Sequence, residues 1–401
     1  MKRLAVALVL LALVVAGTGQ VLASEEGTLL IWADEIRSKV LAGISEDFEA
    51  EFGVPVRIQE LPFTDIANNL AVAAPAGEGP DILVTAHDGL GKLVANGLLE
   101  PMDLGAKAKE FVPTALEAWT YDGVLYGLPY ATEAIGLYYN KDLVDHAPTS
   151  FADLESLAKK ATDRAKGSYG FALPIPDPYH TFPLMSALGG YVFRPSDNGG
   201  LNPLDIGLNN AGAVQGVALF DRLIEEGAMP VLDYSTMTGL FTTGKLAMMQ
   251  TGPWELGNVR KAGINYGFVP IPPVAGHPAR PFVGVQGFAI SSFSKNKLLA
   301  QAFLNEYVAT KETMLALFEQ DPRPPAYLPA LEEARKDPDV ATVARAAADG
   351  IPMPAIRQMD AVWTAWGDAL QLVANQELEP QQAMDDAVAQ IRRTIEESMS
   401  Q

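Results

Sequence analysis

The sequence predicts an α/β fold in two lobes that face each other across a cleft. Short apolar segments alternate with helical patterns along most of the 401 residues, as in units of parallel strands and helices. The chain is long enough for two domains, and its sequence contains no Gly/Ser-rich linker, internal repeat or low-complexity segment. Short ordered segments should therefore join the lobes. Ligands of such sheets bind outside the carboxyl ends of the strands.

The first residues are typical of a secretory signal peptide. Lys2 and Arg3 precede an uninterrupted apolar run at 4–16, and Val21–Ala23 offers small residues for cleavage. The run is too short to span a membrane, and no later segment of the sequence is long and apolar enough. We therefore expect residues 1–23 to be removed, leaving a chain that is not inserted in the membrane.

Composition restricts the location and the partners. The chain has no cysteine, so an exported form would depend on its core rather than on disulfides, and it lacks the cysteine that bacterial lipoproteins use for lipid attachment. We expect the periplasm, with free secretion as the alternative. The 49 acidic and 29 basic residues give a net charge of −20. This charge argues against nucleic acid and anionic membranes as partners.

The first third of the chain predicts alternating strands and helices. The elements are a strand at 28–32, a helix with the apolar face Val40, Leu41, Ile44 and Phe48, a strand at 54–58, a helix at about 64–74 and a strand at 81–84. Gly53 ends the first helix, and Gly77–Pro80 forms a turn. We expect parallel pairing of these strands, with Trp32 packed in the core.

The middle and the end of the chain repeat this pattern. Ser150 is a typical helix N-cap, and Asp153 lies in the first turn, where the helix dipole favours it. The further elements are a strand at 171–174, a helix at 213–225, a strand at 245–250 and a final helix from Pro380 with the apolar face Met384, Ala387, Val388, Ile391 and Ile395.

Aromatic and acidic side chains recur just after the predicted strands. The candidates are Asp34, Glu35 and Arg37, then Asp88, Glu133, Asp177 and Tyr179, then Trp254, and finally Trp363 and Trp366 on one face of a late helix. A pyranose offers apolar C–H faces to flat rings and a rim of hydroxyls to carboxylates. Each unpaired hydroxyl costs desolvation, so this set favours a carbohydrate ligand.

Short motifs along nearly the whole mature chain carry a family resemblance. They are Leu30-Ile31-Trp32, Gly79-Pro80-Asp81-Ile82, Ala86-His87-Asp88, Gly97-Leu98-Leu99, Glu133-Ala134, the segment 139–143, Pro178-Tyr179, Gly189-Gly190-Tyr191, Asp233-Tyr234-Ser235, Gly252-Pro253-Trp254, Asn265-Tyr266-Gly267, the segment 281–285, Met353-Pro354, Gln358-Met359 and Trp363. In this order the chain resembles the maltose/maltodextrin-binding protein family of ATP-driven sugar importers.

The resemblance implies a two-lobed periplasmic-binding-protein fold with crossing hinge segments. It implies a first lobe of 24–131 plus about 287–334, and a second lobe of 132–286 plus about 335–401. By position, Asp88 and Glu133 would bind sugar hydroxyls, and Tyr179, Trp254 and Trp363 would stack on the sugar. Arg37 would pair with Asp34 or Glu35. Asp177 stands where the family commonly has a glutamate, and Met353 would form an apolar wall of the site.

Three positions depart from the family pattern. Thr85 stands where the family often has a stacking tryptophan, and Gly89 and Gly367 stand where it often has arginines. The site would lose one platform and two strong donors, for which Trp366 or His180 could compensate. Maltose, a longer maltodextrin and trehalose all stay open as ligands.

We expect a binding protein rather than an enzyme, without cofactor or metal. It would act as a monomer that captures maltose or another oligosaccharide and delivers it to the membrane permease of an ABC transporter. A glycoside hydrolase is one alternative, with Asp88 and Glu133 as its carboxylates. A ferric-iron receptor using Tyr138 and Tyr139 is another. A polyamine or amino-acid receptor is a third, which the several tryptophans disfavour.

Overall fold

The computed structural model describes residues 25–196 and 200–400. The expected signal peptide at 1–23 lies outside the described residues. The first elements are β1 (Leu29–Ala33), α1 (Arg37–Phe52), β2 (Val56–Glu60), α2 (Phe63–Ala73), β3 (Ile82–Ala86), α3 (Leu90–Ala95), α4 (Pro113–Ala118), β4 (Thr120–Tyr121), β5 (Val124–Leu125), β6 (Gly127–Glu133) and β7 (Gly136–Asn140).

The second half of the described chain carries more helix. Its elements are α5 (Phe151–Ala161), β8 (Tyr169–Ala172), α6 (Pro178–Ala187), β9 (Tyr191–Pro195), β10 (Leu201–Gly207), α7 (Ala211–Glu225), α8 (Tyr234–Thr242), β11 (Leu246–Thr251), α9 (Leu256–Lys261), β12 (Tyr266–Val269), β13 (Phe282–Ile290), α10 (Lys297–Ala302), α11 (Lys311–Gln320), α12 (Leu328–Ala334), α13 (Pro338–Asp349), β14 (Ile351–Pro352), α14 (Asp360–Ala374) and α15 (Pro380–Met399).

The first lobe is built on a mixed sheet with the strand order β14–β13–β3–β1–β2, in which β6 also pairs with β13. β1 runs parallel to β2 and β3, as the strand–helix alternation predicts. β13 runs antiparallel to both β3 and β6. All five residues of β1 are buried, which explains why its sequence is an unbroken apolar run.

The second lobe has a smaller sheet with the strand order β12–β7–β11–β8. β11 runs parallel to β8 and antiparallel to β7. The predicted N-cap is confirmed, because the Ser150 side chain accepts a hydrogen bond from the backbone N–H of Asp153 at the start of α5. Pro380 opens α15 as predicted, and the predicted apolar face of that helix is buried.

The chain crosses between the lobes at Ala134–Ile135, which join β6 to β7, and again between β12 and β13. β13 belongs to both lobes: Phe282 packs in the second-lobe core, and Val283 and Val285 pack in the first. The predicted boundary at 286/287, where the chain was expected to return from the second lobe to the first, therefore falls within the continuous strand β13. The lobe boundaries given above remain predictions.

Separate hydrophobic cores fill the two lobes. Trp32 and Trp119 are buried in the first core, as predicted for Trp32. A larger core, joined by a smaller one around Tyr138, fills the second lobe. Within the described ranges, no helix combines the length and the apolar character that crossing a membrane requires.

Most predicted elements agree with the observed ones to within about two residues, but several strands were not predicted, among them β6, β7 and β13. Glycine and proline interrupt the apolar pattern of β6 and β13. Two of these glycines make room for a core ring, since a Cβ at Gly127 or Gly287 would lie 2.3 or 2.4 Å from the Trp119 side chain. A helix, α6, begins at Pro178, where the sequence indicated only a segment after a strand.

Candidate ligand-binding cleft

Six of the candidate residues predicted from the sequence lie where strands of the two lobes end, the usual ligand position in α/β sheets. Asp34, Glu35 and Arg37 follow β1, Asp88 follows β3 in a 3₁₀ turn, Glu133 ends β6, and Trp254 follows β11 in a second 3₁₀ turn.

Arg37 is a buried cation whose partners come from three parts of the first lobe. Its Nη1 lies 3.0 Å from Asp34 Oδ1, its Nη2 lies 2.8 Å from Asp321 Oδ2, and its Nε donates to the Tyr130 hydroxyl at 2.6 Å. Burial alone would lower the pKa of Arg37, but Tyr130 and the two carboxylates hold that pKa above its ordinary value. Asp34 is thus the acid that pairs with Arg37, and Glu35 is exposed.

Glu133 is buried beside a second arginine that the sequence analysis did not single out. Its Oε2 lies 2.9 Å from Arg323 Nε, and its Oε1 accepts from Gln286 at 3.3 Å. Arg323 also pairs with Asp321 at 2.9 Å. Burial raises the pKa of Glu133, and Arg323 opposes that effect. Side chains of alternating charge therefore run in one line, the charge row: Asp34, Arg37, Asp321, Arg323 and Glu133.

The three predicted stacking residues belong to one line of aromatic rings in the second lobe, the aromatic strip, made of Trp254, Tyr179, Phe282 and Trp363. The ring centroid of Tyr179 lies 6.2 Å from that of Trp254 and 5.9 Å from that of Phe282. The Phe282 and Trp363 centroids are 6.1 Å apart. Trp254, Tyr179 and Trp363 are half-buried, whereas Phe282 is fully buried behind them.

The strip and the charge row meet at the Tyr179 hydroxyl and at Trp254. Burial, together with the carboxylates of Glu133, Asp177 and Asp88, raises the pKa of Tyr179 well above its ordinary value. The guanidinium of Arg323 lies 5.8 Å from the centroid of the Trp254 ring. Rings from one lobe and charges from the other therefore converge on one region.

Trp366 was predicted in the binding set, and the structure corrects this. Its side chain is 0% exposed. It packs edge-on against Phe182 and Phe282 and parallel to Trp363, with centroids 6.1 to 6.4 Å apart. The spacing of three residues puts both tryptophans on one side of α14, but Trp363 packs at the edge of the core and stays half-buried, whereas Trp366 fills the core. Trp366 is therefore a packing residue.

His180 cannot compensate for the missing arginines either, because both of its ring nitrogens are engaged within the protein. Nδ1 lies 2.8 Å from Asp177 Oδ2, and Nε2 lies 3.3 Å from Thr251 Oγ1. A Cβ at Gly89 would meet nothing within 4 Å, and one at Gly367 would meet only Pro178 at 3.9 Å. The two positions thus have room for a side chain that this sequence does not supply.

Asp177 has a local structural role. It caps α6, and its Oδ1 accepts from the backbone N–H of Tyr179 at 2.8 Å and of His180 at 3.3 Å. Burial acts to raise the pKa of Asp177, but hydrogen bonds from the His180 side chain and from the backbone N–H groups of His180 and Tyr179 hold that pKa below its ordinary value. Asp177 therefore fixes the start of the helix that presents Tyr179.

Asp88 and Met353 lie beside β13, the strand that belongs to both lobes. Asp88 is half-buried in the turn after β3, and Met353 is buried. His87 connects the two segments: its Nδ1 accepts from the backbone N–H of Val285 at 3.1 Å, so its Nε2–H donates to the Met353 carbonyl at 3.2 Å. The turn that carries Asp88 is thereby fixed to β13 and to the segment before α14.

A pocket of about 530 Å³ opens beside the charge row, lined by Asp34, Glu35, Ile36, Arg37, Glu60, Leu61, Pro62 and Phe63. Phe63 also lies 5.4 Å from the Arg37 guanidinium. This half-buried ring is a further platform that the sequence analysis missed. Its position five residues after the predicted strand at 54–58 is the signal that could have identified it.

Several buried polar atoms of this region have no hydrogen-bond partner among the described residues: Asp34 Oδ2, Glu133 Oε2, Tyr179 Oη, Gln286 Oε1 and Arg323 Nε. The Arg323–Glu133 contact is close enough for an ion pair, but its angles do not make an aligned hydrogen bond. Buried polar groups are costly unless they are paired. A ligand with hydroxyl groups could pair with them as donor and as acceptor.

Arg323 and Asp321 are the functional candidates that sequence reasoning missed. They lie in the segment Asp321-Pro322-Arg323-Pro324, in which two prolines restrict the backbone on either side of the arginine. Charged residues between prolines outside any periodic segment could have drawn attention to it. Tyr138, considered as an iron ligand, is buried and donates to the Gly252 carbonyl at 2.9 Å.

Comparisons with known proteins agree with this architecture. A model of the bacterial extracellular solute-binding protein family matches residues 43–348. The chain is 33% identical to the galactooligosaccharide-binding protein of Bacillus subtilis, over 91% of this chain and 88% of that protein. It is 32% identical to a maltodextrin-binding protein of the same organism, over 94% and 92%.

A solved structure is similar over almost its whole length. It is a cyclo/maltodextrin-binding protein in complex with maltotetraose, which matches with a TM-score of 0.81 and 32% identity over 92% of this chain and 98% of that one. The family match covers well over half of the sequence, and the solved structure has the same fold. The chain belongs to the family of bacterial extracellular solute-binding proteins.

Proposed function

We propose that this protein captures α-linked glucose oligosaccharides of the maltodextrin type in the periplasm and delivers them to the permease of an ABC transporter. One observation carries the proposal: the aromatic strip, with the half-buried rings Trp254, Tyr179 and Trp363, adjoins the charge row, in which Asp34 Oδ2 and Glu133 Oε2 have no hydrogen-bond partner among the described residues. Flat rings suit the apolar faces of a pyranose, and carboxylates suit its hydroxyls.

The similar proteins support an oligosaccharide as the ligand class. The solved structure that matches over most of this chain contains maltotetraose, and another relative, from Pyrococcus abyssi, is a maltotriose-binding protein. The pocket beside Phe63 offers space next to the charge row. We infer that a chain of more than two glucose units reaches from the aromatic strip into this pocket.

A galacto-oligosaccharide is the second candidate, since one relative with 33% identity is a galactooligosaccharide-binding protein. Trehalose is the third. Thr85, Gly89 and Gly367 alter the residues that would contact a sugar, and a platform or a donor lost there changes which sugar fits. The three candidates differ in linkage and in the orientation of hydroxyls, so a titration panel separates them.

We propose binding without catalysis. Glu133 is held between Arg323 and Gln286, an arrangement that positions a carboxylate for hydrogen bonding. A glycoside hydrolase would need an acid and a second carboxylate on opposite sides of one bond. Turnover of a chromogenic α-glucoside, abolished by Glu133→Gln, would support the hydrolase and contradict our proposal.

The two lobes suggest how ligand binding is signalled. The sugar would contact the charge row of one lobe and the aromatic strip of the other, so it would favour the closed arrangement. The closed monomer would then dock on the permease. Trp254, Trp363 and Tyr179 lie in the region that this movement closes, so intrinsic fluorescence should report binding.

The decisive experiment is a titration of the mature protein, residues 24–401, with glucose, maltose, maltotriose, maltotetraose, trehalose and β-1,4-galactotriose. Tryptophan fluorescence would detect binding, and calorimetry would measure the dissociation constants. We expect maltotriose and maltotetraose to bind most tightly and to raise the melting temperature. Binding by none of these sugars would refute the proposed function.

A further inference from the structure

Arg323 is the member of the charge row that lies beside the aromatic strip, and its side chain is only 14% exposed. Its Nη1 lies 2.9 Å from Asp321 Oδ2, and its Nε lies 2.9 Å from Glu133 Oε2. Its guanidinium carbon lies 5.8 Å from the centroid of the Trp254 ring. It is thus in contact distance of a residue from each lobe of the cleft.

Arg323 and Arg37 differ in how far their donors are used. Arg37 donates aligned hydrogen bonds from Nε, Nη1 and Nη2. Arg323 Nε has none, and neither has the facing Glu133 Oε2. All three guanidinium nitrogens of Arg37 are therefore engaged by the protein. Arg323 Nε and Glu133 Oε2 form an ion pair without an aligned hydrogen bond, which leaves a donor and an acceptor side by side for a ligand.

A hydroxyl group fits such a pair, because it can accept a hydrogen bond from the guanidinium and donate one to the carboxylate. Both bonds involve a charged partner, which makes them stronger than bonds between neutral groups. Trp254 lies next to the pair, so a pyranose stacked on this ring would bring its hydroxyl rim to Arg323 and Glu133.

We propose that Arg323 is a ligand-binding residue, which together with Glu133 holds one hydroxyl of the sugar unit that stacks on Trp254. This inference rests on the proposed function. It also identifies a cationic donor for a site in which Gly89 and Gly367 stand where the family often has arginines. The two residues that were expected to compensate do not do so, because His180 is engaged within the protein and Trp366 is buried.

The first test compares the affinities of variants for the panel sugar that the wild-type protein binds most tightly. We expect Arg323→Gln to weaken binding about 10- to 100-fold, the range for a lost hydrogen bond to a charged group, and Arg323→Lys to weaken it less. Arg222→Gln is the matched control, because Arg222 pairs with Glu155 on the surface and should leave affinity unchanged. An Arg323→Gln affinity within twofold of wild type would overturn the inference.

A second test separates ligand contact from a structural role. It uses monodeoxy derivatives of the disaccharide that has the same sugar units and linkage as the panel sugar bound most tightly. Each derivative lacks one hydroxyl group. We expect one derivative to bind the wild-type protein about tenfold more weakly than the parent disaccharide, and the same derivative to show no such deficit in Arg323→Gln. If Arg323 had only a structural role, Arg323→Gln would weaken the binding of every derivative by the same factor. The tenfold deficit of the one derivative would then persist in the variant, which would contradict the inference.

Removing Arg323 alone leaves Glu133 buried without a cation, and this variant could fail to fold. The double variant Glu133→Gln/Arg323→Gln removes both charges and takes its place in both tests, with thermal unfolding as the check. If the wild-type protein binds no sugar of the panel, the proposed function and this inference fall together. If it binds sugar and the variants bind equally well, only the inference fails.

Discussion

The backbone N–H of Gly91 donates a hydrogen bond to the carbonyl oxygen of Ala355 at 2.9 Å, and a Cβ at Gly91 would lie 2.3 Å from that oxygen. Gly91 lies in α3, and Ala355 lies in the segment that leads into α14. Lys92 and Asp360 form an ion pair at 2.9 Å beside this contact. The first lobe is therefore in direct contact with the segment that enters the second.

Gly91→Ala should destabilise the protein by about 1–3 kcal/mol, the range for overpacking a close contact. The neighbouring backbone atoms of Arg357 and Ile356 also lie within 3 Å of the added methyl, so no side-chain movement relieves the clash. Urea unfolding measures the change. Gly89→Ala is the control, since a Cβ there meets nothing within 4 Å and the backbone is helical. Equal effects of the two changes would contradict this account.

Trp254 and Trp366 should respond to removal in opposite ways. We expect Trp254→Ala to lower sugar affinity by about 1–3 kcal/mol, because the apolar face of the sugar loses the ring surface against which it is buried, with little change in stability because the Trp254 ring is half-buried. Trp366→Ala should cost about 3–5 kcal/mol of stability, since it empties a fully buried site.

Calorimetric titration and urea unfolding of both variants measure this contrast. Trp366→Phe serves as the control for size, because it retains part of the core volume. Unchanged sugar affinity in Trp254→Ala would remove that residue from the binding site. A loss of affinity without a loss of stability in Trp366→Ala would return Trp366 to it.

His87 should make stability depend on pH. Burial lowers the pKa of His87, against the opposing effects of Asp88 and of the bonds to Met353 and Val285. Below the unfolded-state pKa of about 6.5, the unfolded chain binds a proton that the folded chain does not. Stability is therefore fully present above this pH and falls as the pH drops toward the lower, folded pKa.

His87→Asn removes this titration. We expect the wild-type unfolding free energy to fall between pH 7 and pH 5, by at most about 1.4 kcal/mol per pH unit from this group, and the variant to lack that component. His277→Asn is the control, because His277 is exposed. Parallel pH profiles for wild type and His87→Asn would contradict this account, because they would show that the pKa of His87 is the same in the folded and unfolded states.

Asp177→Ala should destabilise α6 by about 1 kcal/mol through loss of its N-cap. Asp177→Asn retains an acceptor oxygen and should cost less. The low pKa of Asp177 adds stability above its unfolded pKa of about 3.9, and this contribution is lost as the pH falls through the folded value. Urea unfolding at pH 7 and pH 3 measures both effects. Equal stability of the two variants at pH 7 would show that the cap contributes nothing.

Periodicity and turn residues predicted the strands and helices that form local units. The segment around Ser150 and Asp153 carries its own cap, and the helix from Pro380 carries its own apolar face, so short stretches specify both. β6 and β13 escaped prediction because their glycines accommodate Trp119, a residue distant from β13 in sequence. Such a requirement is visible only once the two strands and the ring are packed together.

The sequence by itself determined the α/β class and the residue types of the proposed sugar site, because these follow from periodicity and side-chain chemistry. The tertiary structure alone decided which residues meet. Trp363 and Trp366 are chemically identical and three residues apart, yet packing buries one and leaves the other half-exposed. Arg323 reaches Glu133 and Trp254 from a proline-flanked segment, and only the folding of the crossing strands brings those three residues together.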